Sequence, residues 1–196
     1  MNFHIHLRTF DDEMADAWRE YFNSPDVTVA VGDILETDTD AILSPANSFG
    51  FMDGGIDLVY SHFFGWELQD SLRDLLASEY SGEIAVGQAV VVPTGNSRIP
   101  FLVSAPTMRV PAPIDGTANV YLAFRAALLA VKRHNVASPQ KITSLASPAL
   151  GAGIGAMPFD RVARQMHTAY REIVLGDSAW RKTARGVLNQ HASLLR

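Results

Sequence analysis

The chain of 196 residues contains no cysteine, and this absence removes several kinds of chemistry at once. Disulfide bonds, thiolate nucleophiles and cysteine-ligated metal sites all need cysteine, so none of them can operate here. A reducing compartment suits such a chain, and we expect a cytoplasmic protein. The first residues do not join a basic segment to an apolar one, as an export signal does. A run of about 18 apolar residues is missing as well, so neither export nor a membrane segment is expected.

Clusters of basic residues are also missing. Lys and Arg total 16 against 21 Asp and Glu, which gives a net charge of -5. A general nucleic-acid surface or an anionic-membrane surface is therefore not expected, and an anionic ligand would have to bind backbone N–H groups. The hydrophobic content of 47% over this length is enough for one domain with a substantial core. We predict a single domain over 1–196.

The sequence does contain a repeated alternation of strand patterns with helical patterns. Apolar segments with strand character lie at 3–7, 27–31, 41–43, 88–92, 101–104 and 142–146. Apolar residues at helical spacing follow most of them, and a terminal helix is predicted after 176. Such alternation predicts an α/β sheet covered by helices on both faces and largely parallel in its middle. Ligands of these sheets bind at the carboxyl ends of the strands.

A glycine-containing loop follows the strand 41–43. Asn47 lies at the carboxyl end of this strand, and Gly50, Gly54 and Gly55 come after it. Glycine backbone adopts conformations that other residues resist, so such a loop can approach a ligand closely. Asp33 directly follows the neighbouring predicted strand, and we expect it to lie at the same edge of the sheet.

A second glycine loop lies between the last predicted strand and the helix that Pro158 opens. Its amide N–H groups at Gly151, Gly153 and Gly155, next to a helix start, could bind a diphosphate without Lys or Arg. The spacing up to Ala156 also fits the GxGxxA pattern of dinucleotide-binding proteins, so an NAD-dependent oxidoreductase is an alternative. That pattern opens a first βαβ unit and needs an acidic residue about 20 residues later at a strand end, which disfavours it here. A tight turn without a ligand is a further alternative.

Several short motifs occur in the order and spacing of one protein family. They are Gly32-Asp33-Ile34, Asp40-Ala41-Ile42, Ala46-Asn47, Gly54-Gly55-Ile56-Asp57 and Gly65. Together they resemble the ADP-ribose-binding macro domain over about 27–175. The resemblance implies a three-layer α/β/α fold with a mixed central sheet, to which 1–26 add a strand and a helix and 177–196 a tail. Ser44-Pro45 departs from the family's usual Asn-Ala, and Met52-Asp53 stands where two more glycines are frequent.

The resemblance also implies roles for individual residues. Asn47 and Asp57 would be catalytic and orient the distal ribose and a water molecule, while Asp33 would bind the adenine. The implied ligand-binding residues are Asp33, Ile34, Gly54, Gly55, Ile56, Gly151, Ala152, Gly153, Ile154 and Gly155. Without the resemblance, Asp33 is explained as a turn cap, Asn47 as a loop asparagine and Asp57 as a helix N-cap.

The expected partner is therefore ADP-ribose or an ADP-ribosylated target. We expect hydrolysis that releases ADP-ribose from modified targets or ADP-ribosyl metabolites, with no cofactor and no metal. A reader module that binds ADP-ribose without turnover is the alternative. Many hydrolytic relatives carry an aromatic residue in the second glycine loop, where this chain has Ile154-Gly155-Ala156, and Phe49 or Phe51 could supply an aromatic wall instead.

Overall fold

A six-stranded sheet runs through the centre of the computed structural model, which describes residues 3–196; residues 1 and 2 of the predicted N-terminal unit lie outside that range. In chain order its strands are β1 His4–Thr9, β2 Val27–Val31, β3 Ala41–Ser44, β4 Val90–Pro93, β5 Phe101–Ser104 and β6 Ser144–Ser147. Their order across the sheet is β2-β1-β6-β3-β5-β4. Every neighbouring pair is parallel except β4 and β5, which confirms the predicted mixed sheet.

Helices cover this sheet in two layers. They are α1 Asp12–Tyr21, α2 Gly55–Phe64, α3 Glu67–Tyr80, α4 Asn119–Ala137, α5 Phe159–Ile173 and α6 Ala184–Leu194, with short 3-10 turns at Ile34–Glu36 and Ala179–Lys182. Helix α5 packs against both α1 and α4 on one face, and α2 packs against α3 on the other. The predicted three-layer α/β/α architecture is therefore confirmed. Within residues 3–196, no helix has both the length and the apolar character required to cross a membrane.

Alternating side chains of the central strands fill the two core layers. Leu43 and Val103 pack on the side of α1, α4 and α5, whereas Ile42 and Leu102 pack on the side of α2 and α3. All four side chains are fully buried. Since a buried Leu, Ile or Val contributes about 1.5 to 3 kcal/mol relative to an exposed one, both layers hold the central strands firmly. The loops at the ends of β3, β5 and β6 therefore start from fixed points.

One face of the sheet stays partly open at its β2–β1 end, because the layer of α2 and α3 does not extend over these two strands. His4 and His6 of β1 are half-buried on that face, and the Nδ1 atom of His6 lies 2.9 Å from the hydroxyl of Thr28 on β2. The opposite face of β1 presents the buried Ile5 and Leu7 to the core beside α1. The alternation of buried and half-buried side chains along this strand is thus explained by helices on one side alone.

The last strand begins two residues later than the predicted position 142, because a side chain replaces its backbone partners there. Strand β6 begins at Ser144, since the amides of Thr143 and Ser144 donate to the Asp40 carboxylate at 2.7 and 3.0 Å. Helix α1 is capped by Asp11, whose carboxylate accepts from the amide of Met14 at 3.1 Å.

Candidate functional site

A cleft of about 250 Å³ opens beyond the carboxyl ends of β3, β5 and β6. Its walls are the loops that follow these strands, with lining residues within 45–57, 107–111 and 148–155. The three strands are parallel neighbours, so their loops meet at one edge of the sheet. The two glycine loops predicted from the sequence, those after β3 and β6, therefore meet in this cleft.

Most of the predicted site residues line this cleft, and three do not. Those that line it are Asn47, Gly54, Gly55, Ile56, Asp57, Gly151, Gly153, Ile154 and Gly155. Ile34 is buried in the core beside α2 and α3, and Ala152 packs against the core on the opposite side. Asp33 lies at the end of β2, which is separated from β3 by two strands. The cleft therefore corresponds to only part of the predicted ligand site.

The first wall of the cleft is the start of α2. This helix begins at Gly55, with Gly54 as its N-cap, so Asp57 is its third residue and the alternative of an Asp57 N-cap is wrong. Gly55 has a φ of +56°, a conformation that glycine adopts without strain. The amides of Gly55, Ile56 and Asp57 have no acceptor among the described residues. They give this wall the partial positive charge of a helix N-terminus.

The second wall is the glycine loop after β6, here named the Gly151 loop, whose residues within 148–155 line the cleft. The amides of Gly151, Gly153, Ile154 and Gly155 find no acceptor anywhere in 3–196. Helix α5 starts only at Phe159, so the loop itself, rather than the expected helix start, borders the cleft. Residues with free N–H groups thus line the same cleft on two walls.

The cleft contains no Lys or Arg among its lining residues in the described chain. Its ionisable lining residues are the exposed Asp53 and the buried Asp57. An anionic group bound here would be neutralised by amide N–H groups and the α2 dipole, in the manner of phosphate sites at helix N-termini. Binding of an anion by backbone N–H groups needs no basic side chain, so it is compatible with the net charge of -5.

Asp57 is held at the base of the cleft by Ser44, the last residue of β3. The Ser44 hydroxyl donates to Oδ1 of Asp57 at 2.6 Å, and Asp57 is only 7% exposed. Burial raises the pKa of Asp57 from its ordinary value of 3.8 to about 7, and the hydrogen bond from Ser44 partly offsets this rise. A carboxyl group with such a pKa can accept a proton near neutral pH.

Asn47 uses most of its side-chain amide for hydrogen bonds within its own loop. Its Oδ1 accepts from the amides of Phe49 and Phe51 at 3.0 and 3.3 Å, and its Nδ2 donates to the Phe51 carbonyl at 2.7 Å. These bonds fold the loop around the side chain and leave one Nδ2 hydrogen for a ligand. Asn47 therefore shapes the cleft wall as well as lining it.

Asp33 caps the short turn Ile34–Glu36. Its Oδ1 accepts from the amide of Leu35 at 2.8 Å, as the turn-capping alternative requires. The other oxygen, Oδ2, accepts no hydrogen bond from the part of the chain that the structure describes. The capping hydrogen bond therefore uses Oδ1 and leaves Oδ2 of Asp33 available to another donor.

Comparison with known proteins identifies the family. A family model described as Macro domain matches residues 43–166 of this chain. The chain belongs to the macro domain family. An uncharacterized protein of Aquifex aeolicus is 33% identical over 141 residues, which cover 72% of this chain and 78% of that protein.

Two solved macrodomain structures have a similar fold. The macrodomain of Mycobacterium tuberculosis DarG superimposes with a TM-score of 0.61 at 25% identity, and the match covers 73% of this chain and 88% of that one. A mutant of the Oceanobacillus iheyensis macrodomain, solved with ADPR, gives a TM-score of 0.63 at 20% identity, over 76% and 77% of the two chains.

This macro domain is not built like a dinucleotide-binding oxidoreductase. Within the described chain no strand follows α5, so the glycine loop does not open a βαβ unit. Glu172, about 20 residues after the glycine loop, is buried within α5 and does not lie at a strand end. Its carboxylate accepts from the Tyr121 hydroxyl and from Arg125 and Arg181 at 2.5 to 2.6 Å.

The macro domain cleft also includes residues that sequence reasoning missed. These are Pro45, Ala46, Asp53, Thr107, Met108, Pro111, Pro148 and Ala149. The loop after β5 was not predicted to be part of the site, although it follows a central strand and that position was itself a signal. Phe51, considered as an aromatic wall, does line the cleft, and the Arg73 guanidinium lies 4.3 Å from the centre of its ring.

Proposed function

We propose that this macro domain binds ADP-ribose, with the diphosphate between the start of α2 and the Gly151 loop. The observation that carries the proposal is the presence of free N–H groups on two walls of a cleft whose lining has no Lys or Arg in the described chain. Backbone amides at such positions favour a ligand with two linked phosphates over one with a single charge.

The two ends of the ligand would then lie on opposite sides of the diphosphate. The distal ribose would lie near Asn47 and Asp57, which line the cleft. The adenine would lie outside the cleft towards Asp33, whose free Oδ2 can accept from the exocyclic amine. The Oceanobacillus iheyensis macrodomain mutant, solved with ADPR, has a similar fold and supports this class of ligand.

We further propose that Asp57 assists hydrolysis of the bond between the distal ribose and a modified target. As the oxygen of a water molecule bonds to the anomeric carbon, Asp57 accepts one of its protons. The bond from that carbon to the target breaks, and its electron pair stays with the target atom. That atom then takes a proton from Asp57 or from solvent, so free ADP-ribose and the unmodified target are the products. The buried carboxyl group at the base of the cleft supports this role.

Binding without turnover is the alternative, and two observations favour it. The amide of Asn47 is largely used within its own loop, and the Gly151 loop has Ile154 instead of an aromatic residue. Phe51 offsets the second difference, since its ring lines the cleft and is 42% exposed. An exposed ring at that position can pack on a ribose face.

Titration calorimetry with ADP-ribose tests the binding proposal. We expect micromolar affinity, about -7 to -9 kcal/mol, and an increase in thermal stability by mass action. AMP should bind far more weakly, because it lacks the second phosphate and the distal ribose. Equal affinity for AMP and ADP-ribose, or no binding of either at millimolar concentration, would contradict the site.

Release of ADP-ribose from an automodified protein tests hydrolysis. The expected result is release over hours that exceeds a control without enzyme. If ADP-ribose binds but no release is detected from Asp, Glu or Arg linkages, the reader alternative is correct.

A further inference from the structure

Ser44 and Asp57 connect the central strand β3 to helix α2 directly below the cleft. Side chains alternate along a strand, and Ile42 of β3 faces the layer that contains α2. Ser44, two residues later, points to the same side and is fully buried. Its hydroxyl is therefore fixed by the sheet, while Asp57 belongs to the helix that forms one wall of the cleft.

The hydrogen bond between the two side chains involves only one oxygen of Asp57. The distance from Ser44 Oγ to Asp57 Oδ1 is 2.6 Å, within the range for a hydroxyl that donates to an ionised carboxylate. Oδ2 has no donor among residues 3–196, and Asp57 lines the cleft. The bond from Ser44 thus leaves Oδ2 as the oxygen that is available to water.

The other groups around Asp57 do not supply a comparable donor. Tyr60 of α2 donates its hydroxyl to the Leu43 carbonyl at 3.2 Å. Asp53, in the loop before α2, lines the same cleft and carries a charge of the same sign as Asp57. Among the residues described, no Lys or Arg lines the cleft, so Ser44 is the side chain that stabilises the negative charge.

We propose that Ser44 is a positioning residue that holds Oδ1 of Asp57, turns Oδ2 towards the cleft and favours the ionised carboxylate. The proposal rests on the hydrolysis proposed above, since it assigns Ser44 a part in the same step. It concerns a position at which the chain departs from the Asn-Ala that the family usually has. The serine at this position has a short side chain whose hydroxyl donates to the carboxyl group of Asp57.

Ser104 provides a matched control for the removal of a buried hydroxyl. It is the last residue of β5, lies next to Ser44 in the strand register and is 1% exposed. Its Oγ has no hydrogen-bond partner within the described range. Replacing either serine by alanine removes one buried oxygen at the same level of the sheet, but only Ser44→Ala removes a bond to Asp57.

The first test is the pH dependence of ADP-ribose release for wild type, Ser44→Ala and Ser104→Ala. The wild-type rate should rise with pH to a plateau above an inflection near 7, as Asp57 ionises. In Ser44→Ala the inflection should move upward by about one pH unit, because the ionised form loses its donor. KM should stay unchanged, since Ser44 does not line the cleft. Ser104→Ala should keep the wild-type inflection, and an equal inflection in all three proteins would overturn the proposal.

The second test does not depend on activity. Titration of the Asp57 carboxyl carbon by NMR should give a midpoint about one pH unit higher in Ser44→Ala than in wild type or Ser104→Ala. If the wild type releases no ADP-ribose, hydrolysis is wrong, but this titration still decides whether Ser44 stabilises the carboxylate. An unchanged midpoint in a folded Ser44→Ala protein would reject that effect even where the enzyme is active.

Discussion

Ile114 holds the carbonyl of Gly155 and also fills the space beside it. The Ile114 amide donates to the Gly155 carbonyl at 2.8 Å. A Cβ atom built on Gly155 would lie 2.9 Å from Cγ1 of Ile114 and 2.4 Å from the carbonyl oxygen of Gly151. The loop after β5 thus holds the glycine loop after β6 in place.

Gly153 and Gly155 have different roles, because only Gly155 lies against Ile114 and the Gly151 carbonyl. A Cβ on Gly153 would meet no atom within 4 Å, and Gly153 lines the cleft. Gly153→Glu should therefore abolish ADP-ribose binding, because a side chain and a like charge would occupy the place of the diphosphate. Its free energy of unfolding should stay within about 0.5 kcal/mol of wild type, as for other surface substitutions. Calorimetry and urea denaturation measure the two quantities.

Gly155→Ala is the matched control for that variant. The contacts around Gly155 predict a loss of stability of about 1 to 3 kcal/mol, since the added methyl group overlaps the Gly151 carbonyl. A Gly153→Glu protein that binds ADP-ribose normally would show that the loop is only a turn.

Asp33 has two oxygens with different expected partners, and two variants separate them. Asp33→Ala should weaken ADP-ribose binding by about 1.5 to 3 kcal/mol through loss of a charged acceptor. It should also lower stability by about 0.5 to 2 kcal/mol, because Leu35 loses its cap. Asp33→Asn keeps a capping oxygen but replaces Oδ2 by a donor, so it should bind as weakly as alanine while remaining as stable as wild type. Wild-type affinity in Asp33→Asn would return this residue to a capping role alone.

The sequence predicted the layers of the fold and most of the cleft, because these depend on local patterns. Apolar segments such as 3–7 and Ala41-Ile42-Leu43 predicted strands β1 and β3. Glycines after these strands then indicated the cleft walls, and the order of motifs from Asn47 to Asp57 indicated the family. Each of these signals lies within a segment of about ten residues.

The contacts that shape the site could not be predicted in this way. Ser44 and Asp57 are 13 residues apart, and Ile114 is far in sequence from Gly155. Such pairs depend on how strands are ordered in the sheet, which periodicity does not specify. The start of α2 was misplaced for a local reason, since Gly55 has low helix propensity and Asp57 resembles an N-cap.

The burial of Asp57 predicts a specific dependence of stability on pH. Its pKa in the folded protein is raised to about 7 from an ordinary 3.8, so the folded state holds a proton that the unfolded state releases between these values. This proton stabilises the folded state fully below about pH 4. The free energy of unfolding then falls as the pH rises to about 7, by about 1.4 kcal/mol per pH unit. Asp57→Asn does not titrate and should lack this loss.

Urea denaturation of wild type and Asp57→Asn at several pH values measures the difference. The stability of Asp57→Asn relative to wild type should increase by on the order of 2 kcal/mol between pH 5 and 7, then stay level up to pH 8. Groups with a lowered pKa, such as Asp40 and Glu172, are present in both proteins and cancel in the comparison. A constant difference over this range would mean that Asp57 ionises at its ordinary value.

Asp57→Asn also separates catalysis from binding. The variant keeps an acceptor for the Ser44 hydroxyl and removes the carboxylate, so ADP-ribose affinity should stay within about threefold of wild type. A group that positions water contributes to the transition state and little to ground-state affinity. Gly153→Glu, which should not bind, serves as the control for release that does not involve the cleft.

The most direct measurement is the single-turnover rate of ADP-ribose release from an automodified protein at pH 8, where Asp57 of the wild type is ionised. We predict release by wild type above the background without enzyme, and a rate at least about tenfold lower for Asp57→Asn, or at least about 1.4 kcal/mol of barrier. A rate for Asp57→Asn equal to that of wild type would contradict the account of the cleft as a hydrolytic site.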